Sequence, residues 1–448
     1  MTGATWKRKI ALSILLFFVV FNPPVIRQIS FTMLFSALAF ADLFLHYGET
    51  RAMIRRLRRP GILLLIGFLY YFALCGVQTL RNPDHLQSIF GWFGENLFNT
   101  ACQFAICLSL IRIAFRWGFD PKDLAKCFLL AAGAQGFLAA ACFVSPAVKH
   151  LLNETMIENT RSIDFAITIR INSYRRNYGF ASTLFDIFGF TMSLLAVTAF
   201  CKAYNSRGKV WYLFFGAATL AAVLNARTGI VLIGIGVILC VLLSNIRRLS
   251  GMDLAKKGLI ALALAAAAFV VLERIQGSES ATASWLSGGI DQIFNLFQGE
   301  KTGIFLTMSE QFVFFPANPL ELVFGTAMAP EELIGRYTDM GYIQNIWRYG
   351  IVGCVLIYGF WISLLKAAWR NGKDGEDRVL AVCIGAILFI YQLKLNTWGF
   401  SMAGMVYYPL LMGMALRSRE GETETIRERS CLDERKRLAP GHAEHVYL

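Results

Sequence analysis

Long apolar segments alternate with short polar loops along most of the chain. Most of these segments approach the ~20 residues that an α-helix needs to cross a bilayer. The short alternating strands of an outer-membrane barrel are absent from the sequence. The pattern therefore predicts an all-α, polytopic membrane protein with twelve spans, at residues 10–26, 29–47, 61–80, 96–115, 125–145, 179–201, 210–225, 229–245, 258–273, 342–365, 379–394 and 399–416.

The composition supports the same class of protein. Of the 448 residues, 56% are hydrophobic and 16% are charged, and the mean hydropathy is +0.51. Soluble domains carry about a quarter charged residues, so a soluble fold is excluded. The formal net charge of +13 would indicate a nucleic-acid partner in a soluble protein, but here the membrane explains much of it. We expect no nucleic-acid partner.

Basic residues divide unevenly between the two sets of loops. With the N-terminus inside, the inner loops hold 22 lysines and arginines and the outer loops hold 12, which predicts that both termini lie inside. The first apolar run ends in Asn22-Pro23-Pro24 with no small-residue cleavage site, so we predict a retained span rather than a signal peptide. Residues 1–416 then form the transmembrane domain, and the polar residues 417–448 form a flexible cytoplasmic tail.

Several kinds of chemistry find no support in the sequence. No phosphate-binding P-loop is present, since Gly299-Glu300-Lys301-Thr302 lacks the upstream glycine, so we do not expect ATP hydrolysis. Nine of the ten cysteines lie in apolar segments, and the five histidines are scattered. We therefore expect no disulfide framework, no metal site and no cofactor.

Two of the predicted outer loops are long, at about residues 146–178 and 274–341. Loops of this length are usually functional or disordered. In the second loop, the segments 290-IDQIFNLF and 304-IFLTMSEQFVFF mix apolar and polar residues at helix-like spacing. We predict short amphipathic helices there, lying at the outer membrane surface.

Arginines on the predicted outer side run against the usual charge bias and are the main candidates for function. The guanidinium fork suits phosphate, and arginine at membrane depth usually faces a polar cavity or a partner. Other interpretations stay open. In these, Arg175 and Arg176 anchor to lipid headgroups, Arg161 is solvated, and Arg348 extends to the interface. Arg227 pairs with Asp186, and Arg336 pairs with Asp339. The arginines concerned are Arg161, Arg170, Arg175, Arg176, Arg227, Arg336 and Arg348.

Three of these outer regions carry a family resemblance. The segments are 175-RRNYGFAS, the hairpin 224-LNARTGI and 323-VFGTAMAPEELIGRYTDMGYIQNIWRYGIVG. Together with the twelve spans they resemble the O-antigen polymerase/ligase superfamily (Wzy, WaaL and ExoQ-type polysaccharide polymerases). Thr338–Tyr342, followed by Gly350 and Gly353, looks like the signature that ends the large loop in this family. The resemblance covers about residues 60–416.

The resemblance implies a metal-independent membrane glycosyltransferase of the GT-C type in a bacterial inner membrane. Its substrates would be undecaprenyl-diphosphate-linked glycans, and a flippase and a chain-length regulator are possible partners. The residue pattern fits independently, because fixed arginines stabilise the charge that develops on a diphosphate leaving group. The lack of a P-loop for ATP hydrolysis also fits a donor sugar that is already activated by its diphosphate.

The large loop distinguishes two activities within the family. Ligases carry a histidine there, whereas residues 274–341 contain none, so we expect a polymerase that makes O-antigen, capsule or exopolysaccharide. Arg227, Arg336 and Asp339 are the catalytic candidates, with Asp339 as base or, alternatively, as a helix N-cap. Tyr337 and Tyr342 are candidates for sugar binding. A ligase, a lipid or polysaccharide transporter and a non-catalytic scaffold remain as alternatives.

Overall fold

The computed structural model describes residues 3–25, 31–160, 162–172, 176–182, 185–206, 208–245, 312–372, 375–396 and 402–417. In these ranges every regular element is a helix. One 3-10 turn, Pro83–His85, separates α4 from α5. The α-helices are α1 (Gly3–Phe21), α2 (Phe31–Leu45), α3 (Tyr47–Arg56), α4 (Arg58–Arg81), α5 (Leu86–Arg116), α6 (Pro121–Val144), α7 (Pro146–Asn159), α8 (Ile163–Asn172), α9 (Phe185–Ser206), α10 (Val210–Val223), α11 (Arg227–Asn245), α12 (Pro319–Phe324), α13 (Pro330–Ile334), α14 (Gly341–Asn371), α15 (Gly375–Tyr391) and α16 (Gly404–Leu416).

Six helices of the described chain are long and apolar enough to cross a membrane: α4, α5, α6, α9, α11 and α14. A seventh span results if α2 and α3, which are bent by 97° to each other, count as one. The apolar helices α10 and α16 are shorter. The prediction of an all-α, polytopic membrane protein is therefore confirmed, whereas twelve spans stay a prediction. The predicted span 258–273 lies outside the described residues, as do the segment 290–297 and most of the tail.

Helix α9 lies at the centre of the bundle, where it packs against α6, α10, α11 and α15. Almost all of its side chains are buried, and the ring of Phe190 stacks on Tyr391 with centroids 4.0 Å apart. Asp186 lies in the first turn of α9 and Lys202 lies four residues before its end, roughly 24 Å away at 1.5 Å per residue. We refer to the two ends of the bundle as the Asp186 end and the Lys202 end.

The Lys202 end is held by ion pairs between helices. Lys202 lies 2.8 Å from Glu376 at the start of α15. In α1, Lys9 lies 2.7 Å from Asp123, and the Arg417 side chain, just after α16, reaches both Asp377 at 2.9 Å and Asp120 at 3.6 Å. The first and last described helices thus meet at the same end of the bundle.

Three helices lie where the sequence predicts loops. The predicted outer loop 146–178 contains α7 and α8, and α3 occupies a polar, arginine-rich connection. Ser145 caps α7, since its hydroxyl accepts a hydrogen bond from the Val148 amide. These helices are short or have little apolar periodicity, so the hydropathy pattern of the sequence does not identify them. Of the predicted amphipathic helix 304–315, only residues 312–315 are described, and residues 313–315 are not helical.

Helix α14 is broken at Gly350, which has φ 65° and ψ −178°. Gly325, also at positive φ, lies so close that a Cβ on either glycine would collide with the backbone of the other segment. The carbonyls exposed by the break accept hydrogen bonds from Thr326 and Ala327. Tyr70 of α4 donates to the carbonyls of both Phe324 and Tyr349, at 2.6 and 3.1 Å. Residues 324–327 therefore dock against the break.

Candidate functional site

Four segments that are distant in the sequence meet at the Asp186 end. They are residues 176–178 before α9, the turn 224–229 between α10 and α11, residues 336–340 before α14, and residues 392–396 after α15. Three of them belong to the regions that carry the family resemblance. The fourth, residues 392–396, was not singled out in the sequence.

Two asparagines join the first two segments. The Asn177 amide donates to the side-chain oxygen of Asn225 at 3.1 Å, and the Asn225 side-chain nitrogen donates to the Asn177 carbonyl at 2.8 Å. Both residues are buried, where an unpaired amide would be costly. This exchange places the backbone of Arg176 and the start of α11 at Arg227 next to each other.

The turn 224–229 also docks onto the start of α9. Thr228 donates its hydroxyl to Asp186 at 3.3 Å. Gly189, one turn further along α9, faces the Cβ of Ala226, and any larger residue at 189 would collide with it. The close approach of this turn to α9 thus depends on a small residue in each partner.

Lys394 connects Asp186 with Asp339. Its Nζ lies 3.2 Å from Oδ2 of Asp339 and 3.9 Å from Oδ2 of Asp186. All three side chains are partly buried, with relative exposures of 16% for Lys394, 25% for Asp339 and 32% for Asp186. A lysine between two carboxylates offsets part of their repulsion and ties two segments to one point.

The segment that carries Lys394 is a turn continuing from α15. The amides of Lys394 and Leu395 both donate to the Tyr391 carbonyl, at 2.9 and 3.0 Å. Asn396 donates to the side chain of Asn345 in α14 at 2.9 Å. Gly341, the first residue of α14, packs so closely against this turn that there is no space for a Cβ at this position. Lys394 is therefore fixed by backbone geometry, not only by its ion pairs.

Residues 336–339 line the exposed side of the cluster. The guanidinium of Arg336 lies 4.1 Å from the centroid of the Phe314 ring, a cation–π contact. Tyr337 donates its hydroxyl to Oδ1 of Asp339. This hydrogen bond to a carboxylate, together with partial burial, raises the pKa of Tyr337 to about 12. The proposed N-cap role of Asp339 is wrong, because the N-cap position of α14 is Met340.

The other predicted site residues are distributed over several segments of the chain. The guanidinium of Arg176 lies 4.5 Å from the Phe185 ring centroid, near the start of α9. Arg170 is exposed on α8. Tyr342 in α14 donates its hydroxyl to the Phe389 carbonyl at 2.7 Å, so this hydroxyl joins two helices. Arg348 lies in α14 two residues before the break at Gly350.

Three predicted site residues are described only in part or not at all. Arg161 and Arg175 lie outside the described residues. For Arg227 the structure gives the backbone, at the first residue of α11. The predicted pairing of Arg227 with Asp186 therefore stays a prediction, and the described partners of Asp186 are Thr228 and Lys394.

Sequence reasoning missed Lys394, Asn177 and Asn225. Lys394 closes a predicted apolar span and resembles any lysine at a membrane boundary. The only available signal was that it adds one more positive charge on the predicted outer side. Asn225 lies within the hairpin that was singled out for Arg227, but its own role depends on a partner 48 residues earlier.

No protein-family model matches the chain, and no curated protein matches it in sequence. Inferences about function therefore rest on the residues and their arrangement.

Proposed function

We propose that the protein is a polysaccharide polymerase of the inner membrane. It would join undecaprenyl-diphosphate-linked repeat units on the periplasmic face, at the Asp186 end of the bundle. The observation that carries the proposal is the convergence of residues 176–178, 224–229 and 336–340, because these segments supply the arginines that the resemblance to the O-antigen polymerase/ligase superfamily singles out.

The charge of these segments suits a diphosphate. These segments carry Arg176, Arg227 and Arg336, and Lys394 of the fourth segment lies between two carboxylates, Asp186 and Asp339. The formal surplus is two positive charges, which matches the roughly two negative charges of a diphosphate diester. Such a surplus stabilises the charge that develops as the glycosidic bond to the diphosphate breaks.

The two carboxylates are the candidate bases for the acceptor hydroxyl. In an inverting displacement, the base removes the proton from this hydroxyl while its oxygen attacks the anomeric carbon, and the diphosphate leaves with the bonding electrons. Both oxygens of Asp339 already accept hydrogen bonds, one from Tyr337 and one from Lys394. We assign Asp339 mainly to holding Lys394 and Tyr337 in place, and Asp186 becomes an equally strong candidate for the base.

Loss of Arg227 tests the proposal most directly. In a host that carries a deletion of the gene, complementation with Arg227→Ala should fail to restore long glycan chains, while single repeat units persist on their carrier or acceptor. Arg227→Lys should restore part of the chain length, because lysine keeps the charge but loses the bidentate geometry. Arg81→Ala, at an exposed position at the end of α4, is the matched control and should restore full length.

The same experiment separates the related activities. Loss of all acceptor-linked glycan, with long chains still attached to the carrier, would indicate a ligase. An unchanged glycan profile in the deletion strain itself would contradict both enzymes. Membrane samples from each strain, compared by gel electrophoresis after matched expression of the variants, provide the readout.

One observation favours a transporter as the second candidate. Transporters often bind substrate at discontinuous helices, and α14 is broken at Gly350. Here residues 324–327 and Tyr70 supply hydrogen bonds to the carbonyls next to the break, which favours a structural role for it. Accumulation of lipid-linked repeat units on the cytoplasmic face of the deletion strain would support a transporter; accumulation on the outer face supports the polymerase.

A further inference from the structure

Helix α3 carries a stripe of exposed arginines and apolar side chains. Tyr47, Arg51, Ile54, Arg55 and Arg58 follow one another at spacings of four, three, one and three residues. At 100° per residue the four residues of α3 lie within one face of that helix, and Arg58 follows as the first residue of α4. All five side chains are exposed, Tyr47 by 64% and Ile54 by 53%.

The opposite face of α3 is fixed to the protein. Thr50 is buried and donates its hydroxyl to the carbonyls of Leu43 and His46, at 3.0 and 3.1 Å, where the chain bends between α2 and α3. Leu57 is buried in the main core. Glu49, the single acidic residue of α3, lies 3.2 Å from Arg112 of α5. The exposed stripe is therefore left with positive charges alone.

The position of α3 relative to a bilayer follows from its neighbours. The last turn of α2 exposes Phe44 by 81% and Leu45 by 76%, and α4 exposes Leu65 by 58% and Leu69 by 59%. Apolar surface of this extent on both flanking helices requires lipid. The Arg56 side chain, at the end of α3, donates to the carbonyl of Leu416, next to Arg417, so α3 lies at the Lys202 end. Its turn of 97° from α2 leads the chain along the edge of the apolar layer.

We propose that α3 is an interfacial helix whose exposed Tyr47, Arg51, Ile54 and Arg55, together with Arg58 at the start of α4, bind the headgroups of anionic phospholipids at the Lys202 end. Tyr47 and Ile54 enter the boundary between headgroups and acyl chains, and the arginines extend to the phosphates. Charge complementarity and continuity with the lipid-exposed faces of α2 and α4 both favour lipid as the partner. This proposal is independent of the proposed polymerase activity.

The test compares lipid retention by the full-length protein. The protein is reconstituted into nanodiscs of phosphatidylcholine and phosphatidylglycerol at equal amounts, extracted in mild detergent, and analysed by native mass spectrometry for bound lipid. Each basic residue near an anionic surface contributes about a fivefold gain in affinity. The triple variant Arg51→Gln/Arg55→Gln/Arg58→Gln should therefore lower the ratio of bound phosphatidylglycerol to phosphatidylcholine by at least about tenfold. The preference of the unmodified protein should weaken as salt rises.

A variant with the same loss of charge is the control. Lys209, Lys366 and Arg370 are exposed residues outside α3, on the predicted inner side. The triple variant Lys209→Gln/Lys366→Gln/Arg370→Gln should keep most of the preference for phosphatidylglycerol. An equal loss in both variants would overturn the proposal, because it would show a response to net charge only. No preference in the unmodified protein, or retention of acidic protein or nucleic acid in place of lipid, would overturn it as well.

Discussion

Charged side chains make different contacts at the two ends of the bundle. At the Lys202 end, Lys9, Lys202 and Arg417 each lie within 2.9 Å of a carboxylate from another helix. At the Asp186 end, Lys394 is shared between two carboxylates at 3.2 and 3.9 Å, and Arg176 and Arg336 lie over aromatic rings. Ion pairs that join two helices hold those helices together, whereas a cluster with a formal positive surplus is suited to an anion.

The cluster around Arg112 should give the largest effect on stability. Arg112 is buried and pairs with Asp42 and Glu49, and Ser109 also donates to Asp42. Arg112→Gln leaves two partly exposed carboxylates without their cation and should cost about 1–3 kcal/mol. The midpoint of thermal unfolding in detergent should fall clearly, while activity per folded molecule stays the same.

Arg116→Gln is the matched control for Arg112→Gln. Arg116 lies one turn further along α5 and is exposed, next to His46. Its loss should change stability by less than about 1 kcal/mol. Similar midpoints for the two variants would contradict the view that the Lys202 end is held by its ion pairs.

Loss of Lys394 should affect activity more than stability. Lys394→Gln removes the link between Asp186 and Asp339, so the segment 336–340 loses its fixed position relative to α9. A displacement of about 1 Å at a reacting site costs about 100-fold in rate. Polymerisation of a purified lipid-linked repeat unit measures the rate, and Lys394→Arg should recover most of it.

Two results would contradict this comparison of the Asp186 end with the Lys202 end. If Lys394→Gln lowers the midpoint of unfolding as much as Arg112→Gln does, Lys394 has a structural role like the residues at the Lys202 end. If Lys394→Gln keeps the full rate while Arg227→Ala abolishes it, the proposed activity stands but Lys394 does not position the site.

Loss of the hydrogen bond from Tyr337 to Asp339 should have the smallest effect on stability. The size of this effect should depend on pH. Burial and this bond raise the pKa of Tyr337 from its ordinary value near 10 to about 12. A raised pKa means that the protonated tyrosine stabilises the fold below about pH 10, and that this contribution is lost as the pH rises towards 12.

Tyr337→Phe should therefore unfold at a slightly lower temperature than the unmodified protein at pH 8, and this gap should narrow at pH 11. Melting curves for the two proteins at both values measure it. A gap that widens at high pH would contradict the assignment of the proton to Tyr337. Tyr47→Phe, at an exposed tyrosine on α3 away from the cluster, controls for general effects of alkali.

Part of the candidate site was predictable from local sequence. Arg227 and Asp339 were selected because a short hairpin and the end of a long loop carry charges that folding alone does not require. The start of α9 was predicted six residues too early, because hydropathy continues through 179–184. In the structure, the Tyr178 carbonyl accepts from Gln135 at 2.6 Å and Asn177 pairs with Asn225, so residues 176–182 stay outside the helix.

The sequence by itself determined the helical class and the positions of the six described helices that are long and apolar enough to cross a membrane. Hydropathy and periodicity are local properties, so they can be read within a window of about 20 residues. Only the tertiary structure decided that Lys394 stands between Asp186 and Asp339, that Gly189 admits the turn at Ala226, and that α14 breaks against Gly325. These contacts join segments far apart in the chain, and their geometry depends on how the intervening helices pack.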